Sequence, residues 1–283
     1  MIEPIVKPNF FILGAAKSGT TFLYNTLTEH PDIFFPIEKE PSFLSYHFDK
    51  HINGTAKYFE LFDDVKAEKR IGEASPNYLP DPTSPRILKG LFPDAKFIVT
   101  LRNPADRAYS MYLNLRRYGH EHHNTFERAL LAEDKRLNSK DFKEKHQYFY
   151  HFLYFRSGLF GEQIQRYFDL FDKEQFHIIT LDSLKSHFEE SIKNILTFLE
   201  VDANYALKPG DKHKGYGVRF LPLQILHRKL PREYRKYLGF LLSLNKTETQ
   251  PIDPEIRATL MKKYEEDLNL LYDLTKIDLR ESN

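Results

Sequence analysis

The sequence contains no cysteine. No disulfide, thiolate nucleophile or cysteine-ligated metal centre can form in it, and the composition suits a reducing compartment. Net charge is almost absent too, with 41 Lys+Arg against 40 Asp+Glu in 283 residues. That balance gives no electrostatic ground for nucleic acid as a partner, although it leaves room for a local basic cleft. No apolar run approaches the roughly 20 residues of a membrane-spanning helix. The start, MIEPIVKPNFFILG, has no basic opening and no long apolar core followed by small residues. The expectation is a soluble, cytoplasmic protein with neither signal peptide nor membrane span.

What is present is an alternation of strand and helix. Phe10 to Gly14, Arg70 to Ala74, Lys96 to Leu101 and Phe176 to Leu181 read as buried strands, with a short fifth at Ile33 to Phe35. The third, KFIVTL, is nearly continuous in apolar residues, as suits a parallel strand covered on both faces. Helical patterns fall between them. Thr20 to His30 is closed by Pro31, and Asn103 is placed to cap a helix opening on Pro104. Leu159 to Phe171 and His187 to Leu199 follow, and Pro254 opens a last helix to about Leu274. Asn204 to Gln250 is irregular, basic and aromatic, and reads as loops and short helices. The pattern predicts one α/β domain over residues 1–283, with a P-loop-like central parallel sheet flanked by helices. Ligands of such sheets bind beyond the carboxyl ends of the strands.

After the first strand comes Gly14-Ala15-Ala16-Lys17-Ser18-Gly19-Thr20-Thr21, then a helix. Small residues let backbone N–H groups wrap a phosphate, the helix start adds partial positive charge, and Lys17 adds a full one. The nucleotide-hydrolase loop, G-x-x-x-x-G-K-[ST], needs its lysine after the second glycine. Here Thr20 follows Gly19 and the lysine comes earlier. A second anion motif lies at Leu101-Arg102-Asn103-Pro104-Ala105-Asp106-Arg107-Ala108-Tyr109-Ser110, where Arg102 offers a planar fork and Ser110 a further donor.

Lys17 to Thr21 resembles the 5′-phosphosulfate loop of sulfotransferases that use 3′-phosphoadenosine 5′-phosphosulfate (PAPS), and Leu101 to Ser110 resembles their 3′-phosphate motif. The wording is nearest the heparan-sulfate and bacterial branches. Gly72 to Tyr78 and the pattern from Tyr264 to Leu279 also resemble the family. The resemblance implies a PAPS-dependent transferase that requires no metal and acts on a small-molecule or glycan acceptor, a lipid included. It implies that Lys17, Ser18, Gly19, Thr20, Thr21, Arg102 and Ser110 hold the donor, with Lys17 meeting the charge of the leaving phosphate.

Pro36 to Leu44, with Lys39-Glu40, resembles the family's K-E-x-x-F-F stretch, whose glutamate is the base in the glycan branch. By resemblance Glu40 is the general base; Lys39 is placed either to orient it or to bind an acidic acceptor, and Tyr78 is expected at the acceptor as well. Lys212 to Arg219 resembles the late basic loop that closes over the nucleotide, which implies contacts from Lys214, Gly215, Tyr216 and Arg219. Tyr216 stands where that branch has an arginine. His120-Glu121-His122-His123 invites a metal reading but lacks the i, i+4 pair of a helical zinc site, and reads instead as a polar loop. Arg116 and Arg117 either greet an anionic acceptor or solvate a helix end, and the aromatic run from Tyr148 to Phe155 suits packing more than a pocket. Two competing readings are a P-loop small-molecule kinase, which the lysine position disfavours, and a non-catalytic binder of nucleotides or sulfated glycans, which Lys17 and Glu40 disfavour.

Overall fold

The computed structural model describes residues 5–45, 52, 54–146, 149–210 and 215–280. The chain divides into two compact units, each assembled from separate stretches. The first comprises Met1–Asn103, Phe160–Lys212 and Asp267–Asn283, and the second Pro104–Leu159 and His213–Glu266. The sequence predicted a single domain. Of the described crossings, one lies inside the Glu265–Thr275 helix and two at the helix starts on Pro104 and Phe160, so no Gly/Ser/Pro-rich linker marks the division there.

The first unit holds a five-stranded sheet of β1 (Phe10–Gly14), β2 (Ile33–Phe34), β3 (Arg70–Ala74), β4 (Lys96–Leu101) and β5 (Phe176–Thr180), in the order β2-β3-β1-β4-β5. Every pairing is parallel. Phe10, Ile12 and Ile98 pack into a core with Leu23 and Leu27 of the Thr20–Leu27 helix and Ile192, Ile195 and Leu196 of the Phe188–Phe198 helix. Covered faces explain why these strands read as apolar runs rather than alternating ones. The chain runs from β1 outward to β2 and back through β3, then crosses to β4 on the other side of β1. The reversal puts a crevice beyond the carboxyl ends of β1 and β4, where such sheets hold ligands.

Element ends differ from expectation for local reasons. Leu181 belongs not to β5 but to a short helix, Leu181–Ser186, because the Thr180 hydroxyl accepts the Ser183 N–H and caps it. The last helix is two, Pro254–Lys263 and Glu265–Thr275, parted at Tyr264. Asp267 lies just beyond the break and accepts the backbone N–H groups of Gly161 and Glu162 at 2.9 Å each, which caps the Phe160–Phe168 helix.

The second unit is helical. The Pro104–Arg117 helix opens it on the predicted proline. The aromatic run after residue 148 is packing: Phe149, Tyr150, Phe152 and Tyr154 are buried. Tyr148 lies outside the described residues. The irregular stretch forms the Leu221–Lys229 helix and shorter turns, with a two-stranded antiparallel ribbon of β6 (Gly217–Val218) and β7 (Lys246–Thr247). Among the described residues no helix is long and apolar enough to cross a membrane.

Candidate active site

Four loops leave the carboxyl ends of β1 to β4 in the first unit. The β1 loop is anchored where Ala15 donates its N–H to Thr100 O of β4 at 2.7 Å. Lys17 takes φ 70° and Gly19 φ 95°. A side chain on Gly19 would meet Leu181 Cδ1 at 2.7 Å and displace it, and the positive φ itself favours glycine. The helix that follows has no side-chain cap and no acid in its first turn. Its opening N–H groups therefore lack an intrahelical partner and a neutralising charge, as an anion site requires. Ser18 is fully buried, and its hydroxyl has no hydrogen-bond partner among the described residues.

The β2 loop carries Lys39 and Glu40. Lys39 Nζ donates to Glu40 Oε1 at 2.9 Å and to Thr21 Oγ1 at 2.8 Å. It thereby joins the candidate base to the phosphate loop. The two side chains remain 23% and 29% exposed, so the pair is open to a substrate. Glu40 and Ser42 both adopt left-handed backbone, at φ 63° and 50°. Non-glycine residues there cost of order 1–3 kcal/mol each, so the surroundings must impose the conformation.

The β3 segment imposes it. Ser42 donates its N–H to Ser75 Oγ at 2.9 Å, and the Ser75 hydroxyl donates to Glu73 Oε1 at 2.6 Å. Tyr58 donates its hydroxyl to the other Glu73 oxygen. Leu44 donates its N–H to the Tyr78 hydroxyl at 3.2 Å, and Ser84 donates to Leu44 O at 2.9 Å. Glu73 is wholly buried, and burial pushes its carboxyl above the usual carboxylate range against the lowering effect of the Ser75, Tyr58 and Tyr78 hydroxyls. The resemblance of Gly72 to Tyr78 to the family assigns no role to Glu73 or Ser75, and Tyr58 lies outside that segment. The available signal was a charged residue inside a covered strand, which is retained only when its oxygens are satisfied. Tyr78 was expected to face the acceptor. Its side chain has no exposed surface, and its hydroxyl serves Leu44.

Arg102 follows β4. It is half-buried and makes no ion pair among the described residues. Asn103, expected as a helix cap, donates its side-chain amide to Leu279 O at 3.0 Å. Ser110 belongs to the second unit, half-buried on the Pro104–Arg117 helix. There too, Gly215, Tyr216 and Arg219 are described while Lys214 is not. The Tyr216 ring has Arg117 Cζ at 4.6 Å and Lys246 Nζ at 4.8 Å from its centroid, and Arg117 Nε donates to Tyr216 O at 3.1 Å. Arg219 is exposed.

The family model of the sulfotransferase domain matches residues 7–213. The chain belongs to the sulfotransferase family. A 106-residue stretch, 37% of this chain and 22% of the relative, is 41% identical to the membrane-associated sulfotransferase kil1 of Dictyostelium discoideum. Over 235 residues, 82% of this chain and 26% of the relative, it is 24% identical to the bifunctional heparan sulfate N-deacetylase/N-sulfotransferase 1 of Caenorhabditis briggsae. The matches thus span about a quarter of these relatives' lengths. A crystallised sulfotransferase from Alicyclobacillus acidocaldarius superposes with a TM-score of 0.75 at 27% identity, covering 97% of this chain and 98% of that one. The expected family and its α/β sheet are therefore those observed.

The sulfotransferase's His120-to-His123 loop, in the second unit, has a different character. Glu121 is fully buried and accepts from Arg136 NH2 at 2.9 and 2.8 Å, from the Tyr154 hydroxyl at 2.6 Å and from the N–H groups of His122 and His123. Burial, aided by the Arg228 charge, pushes His120 down to about 4. Among the described residues no group of three His, Cys, Asp or Glu is placed to hold a metal ion.

Proposed function

We propose that the protein is a PAPS-dependent sulfotransferase acting on a hydroxyl or amine of a saccharide, lipid or small metabolite. The observation that carries the proposal is Lys39, which bonds at once to the Glu40 carboxylate and to Thr21 of the anion loop. The loop fits an anionic donor. It has an uncapped helix start, an orphaned buried hydroxyl at Ser18 and no acidic neighbour in its first turn. Lys17, Ser18, Gly19, Thr20 and Thr21 hold the 5′-phosphosulfate end, and Arg102 the 3′-phosphate. Ser110, Lys214, Gly215, Tyr216 and Arg219 of the second unit keep their expected donor contacts as part of this proposal.

When bound, the donor supplies a sulfuryl group on a phosphate leaving group. The chain's own work is positioning and charge stabilisation, as in other loose in-line transfers. Glu40 removes the acceptor proton. Lys39 holds Glu40 toward the loop, and Lys17 with the loop N–H groups meets the charge that grows on the departing phosphate. Tyr78, being buried, supports the Glu40 loop from beneath. A cytoplasmic location belongs to the same proposal and rests on the cysteine-free composition.

The test is calorimetric. PAP, the desulfated donor, should bind better than AMP, and Arg102→Ala should remove about tenfold or more of that preference, the worth of a charge-assisted hydrogen bond. An unchanged preference in the variant would contradict the assignment of Arg102.

A further inference from the structure

Charge is balanced over the whole chain but not along it. Between Phe220 and Lys246 there are six Lys and Arg and a single acid, Glu233. Half of the exposed large hydrophobic side chains among the described residues fall in the same stretch of the second unit, including Phe220, Leu226, Tyr237, Phe240, Leu241 and Leu244. Phe240 and Tyr237 are 73% and 71% exposed. Water-facing aromatic side chains gathered in one segment are uncommon on a soluble surface and mark an interaction face.

Little of the segment is core: among its described residues Leu221 is the one buried hydrophobic side chain. β6 and β7 join its ends. Asn245 accepts the Phe220 N–H at 2.8 Å and returns its amide to Phe220 O at 3.0 Å. Arg235 donates to Leu230 O and Arg228 O, which ties the Leu221–Lys229 helix to the turn after it. The Gly239–Leu244 helix buries no side chain at all. Its apolar groups therefore have no buried neighbour within their own helix.

The cations are equally unspent. Lys229, Lys236 and Lys246 are exposed, and none makes an ion pair with a described residue. Lys236 Nζ lies 5.1 Å from the centroid of the Tyr237 ring. We propose that this segment docks on an anionic lipid bilayer as a peripheral face. Its aromatic and leucine side chains enter the interface while its lysines meet lipid headgroups. Charge complementarity selects this occupant. A symmetric dimer would press the basic segment against its own copy and unite like charges.

The experiment is co-sedimentation of the full chain with phosphatidylcholine vesicles, with and without phosphatidylserine. Binding should require phosphatidylserine and weaken as salt rises. Lys236→Gln should lower the partition coefficient about fivefold, and Phe240→Ala about tenfold. Leu131→Ala, which changes an exposed leucine elsewhere in the same unit, should leave it unchanged. Circular dichroism of each variant should match the parent. Overturning results are no binding to phosphatidylserine vesicles, equal binding without phosphatidylserine, or an equal loss in Leu131→Ala. A concentration-dependent doubling of mass, abolished by Phe240→Ala without vesicle binding, would assign the face to a second copy and also overturn the proposal.

Discussion

Glu40 in the first unit and Glu121 in the second are both carboxylates paired with a cation, and their surroundings are opposite. Glu121 has no exposed surface and meets one guanidinium, one phenol and two backbone N–H groups. Every lone pair is engaged, so it can neither accept a proton from a substrate nor move toward one. Glu40 is 29% exposed, stands on strained backbone and has one cationic partner among the described residues, Lys39, that also touches Thr21 of the loop after β1. A saturated, buried carboxylate holds a structure together. One held by a single partner and still open to solvent is available for chemistry.

Removing Glu121 should strand Arg136 as a buried, uncompensated charge. Glu121→Ala is expected to cost about 3–5 kcal/mol of stability, measured by urea unfolding, while the PAP affinity of the remaining folded protein stays at the parental value. A loss of affinity without loss of stability would erase the contrast. Next in size is Lys17→Ala, which should lower turnover about 10²–10³-fold through lost leaving-group stabilisation and weaken PAP binding, with unfolding unchanged. Steady-state kinetics beside calorimetry would separate the two effects.

The smallest expected effect concerns Glu73, which sharpens the comparison because it is buried like Glu121 yet serves the Glu40 loop. Burial raises its pKa above the ordinary 4.5. The folded state therefore favours the protonated form. The stability this contributes is full below the unfolded value and is lost as pH rises through the folded one. Glu73→Gln cannot ionise, so the wild-type-minus-variant stability should fall as pH rises from 4.5 toward neutrality. Paired urea titrations check it. A difference that grows with pH would reverse the sign.

The fold was legible where physics is local. Parallel strands covered on both faces need continuous apolar runs, and KFIVTL declares itself on that ground alone. Gly19 and Pro104 mark helix starts through their own backbone requirements. The break at Tyr264 was invisible because the apolar spacing continues across it. The site was legible in part. Lys17 and Arg102 stand out by residue type and by position after strands, which is the ground for proposing an anion there. The Lys39–Thr21 bond was not, since it joins residues 18 positions apart that only the strand order brings together. Glu73 was hidden for the same reason: its partner Tyr58 lies 15 residues away on another element. Tyr78 shows the converse, a residue whose type suited an acceptor contact and whose burial gives it a supporting place.

The central claim is that Glu40 is the base and that Lys39 merely holds it. The most direct test is sulfuryl transfer from labelled PAPS by Glu40→Gln beside PAP binding by the same variant. Glutamine keeps the shape of the side chain and can still accept from Lys39, but it cannot take a proton from the acceptor. The account predicts PAP affinity at the parental level with turnover reduced about 10²–10⁴-fold near neutral pH. Turnover at the wild-type rate with the true acceptor would contradict it.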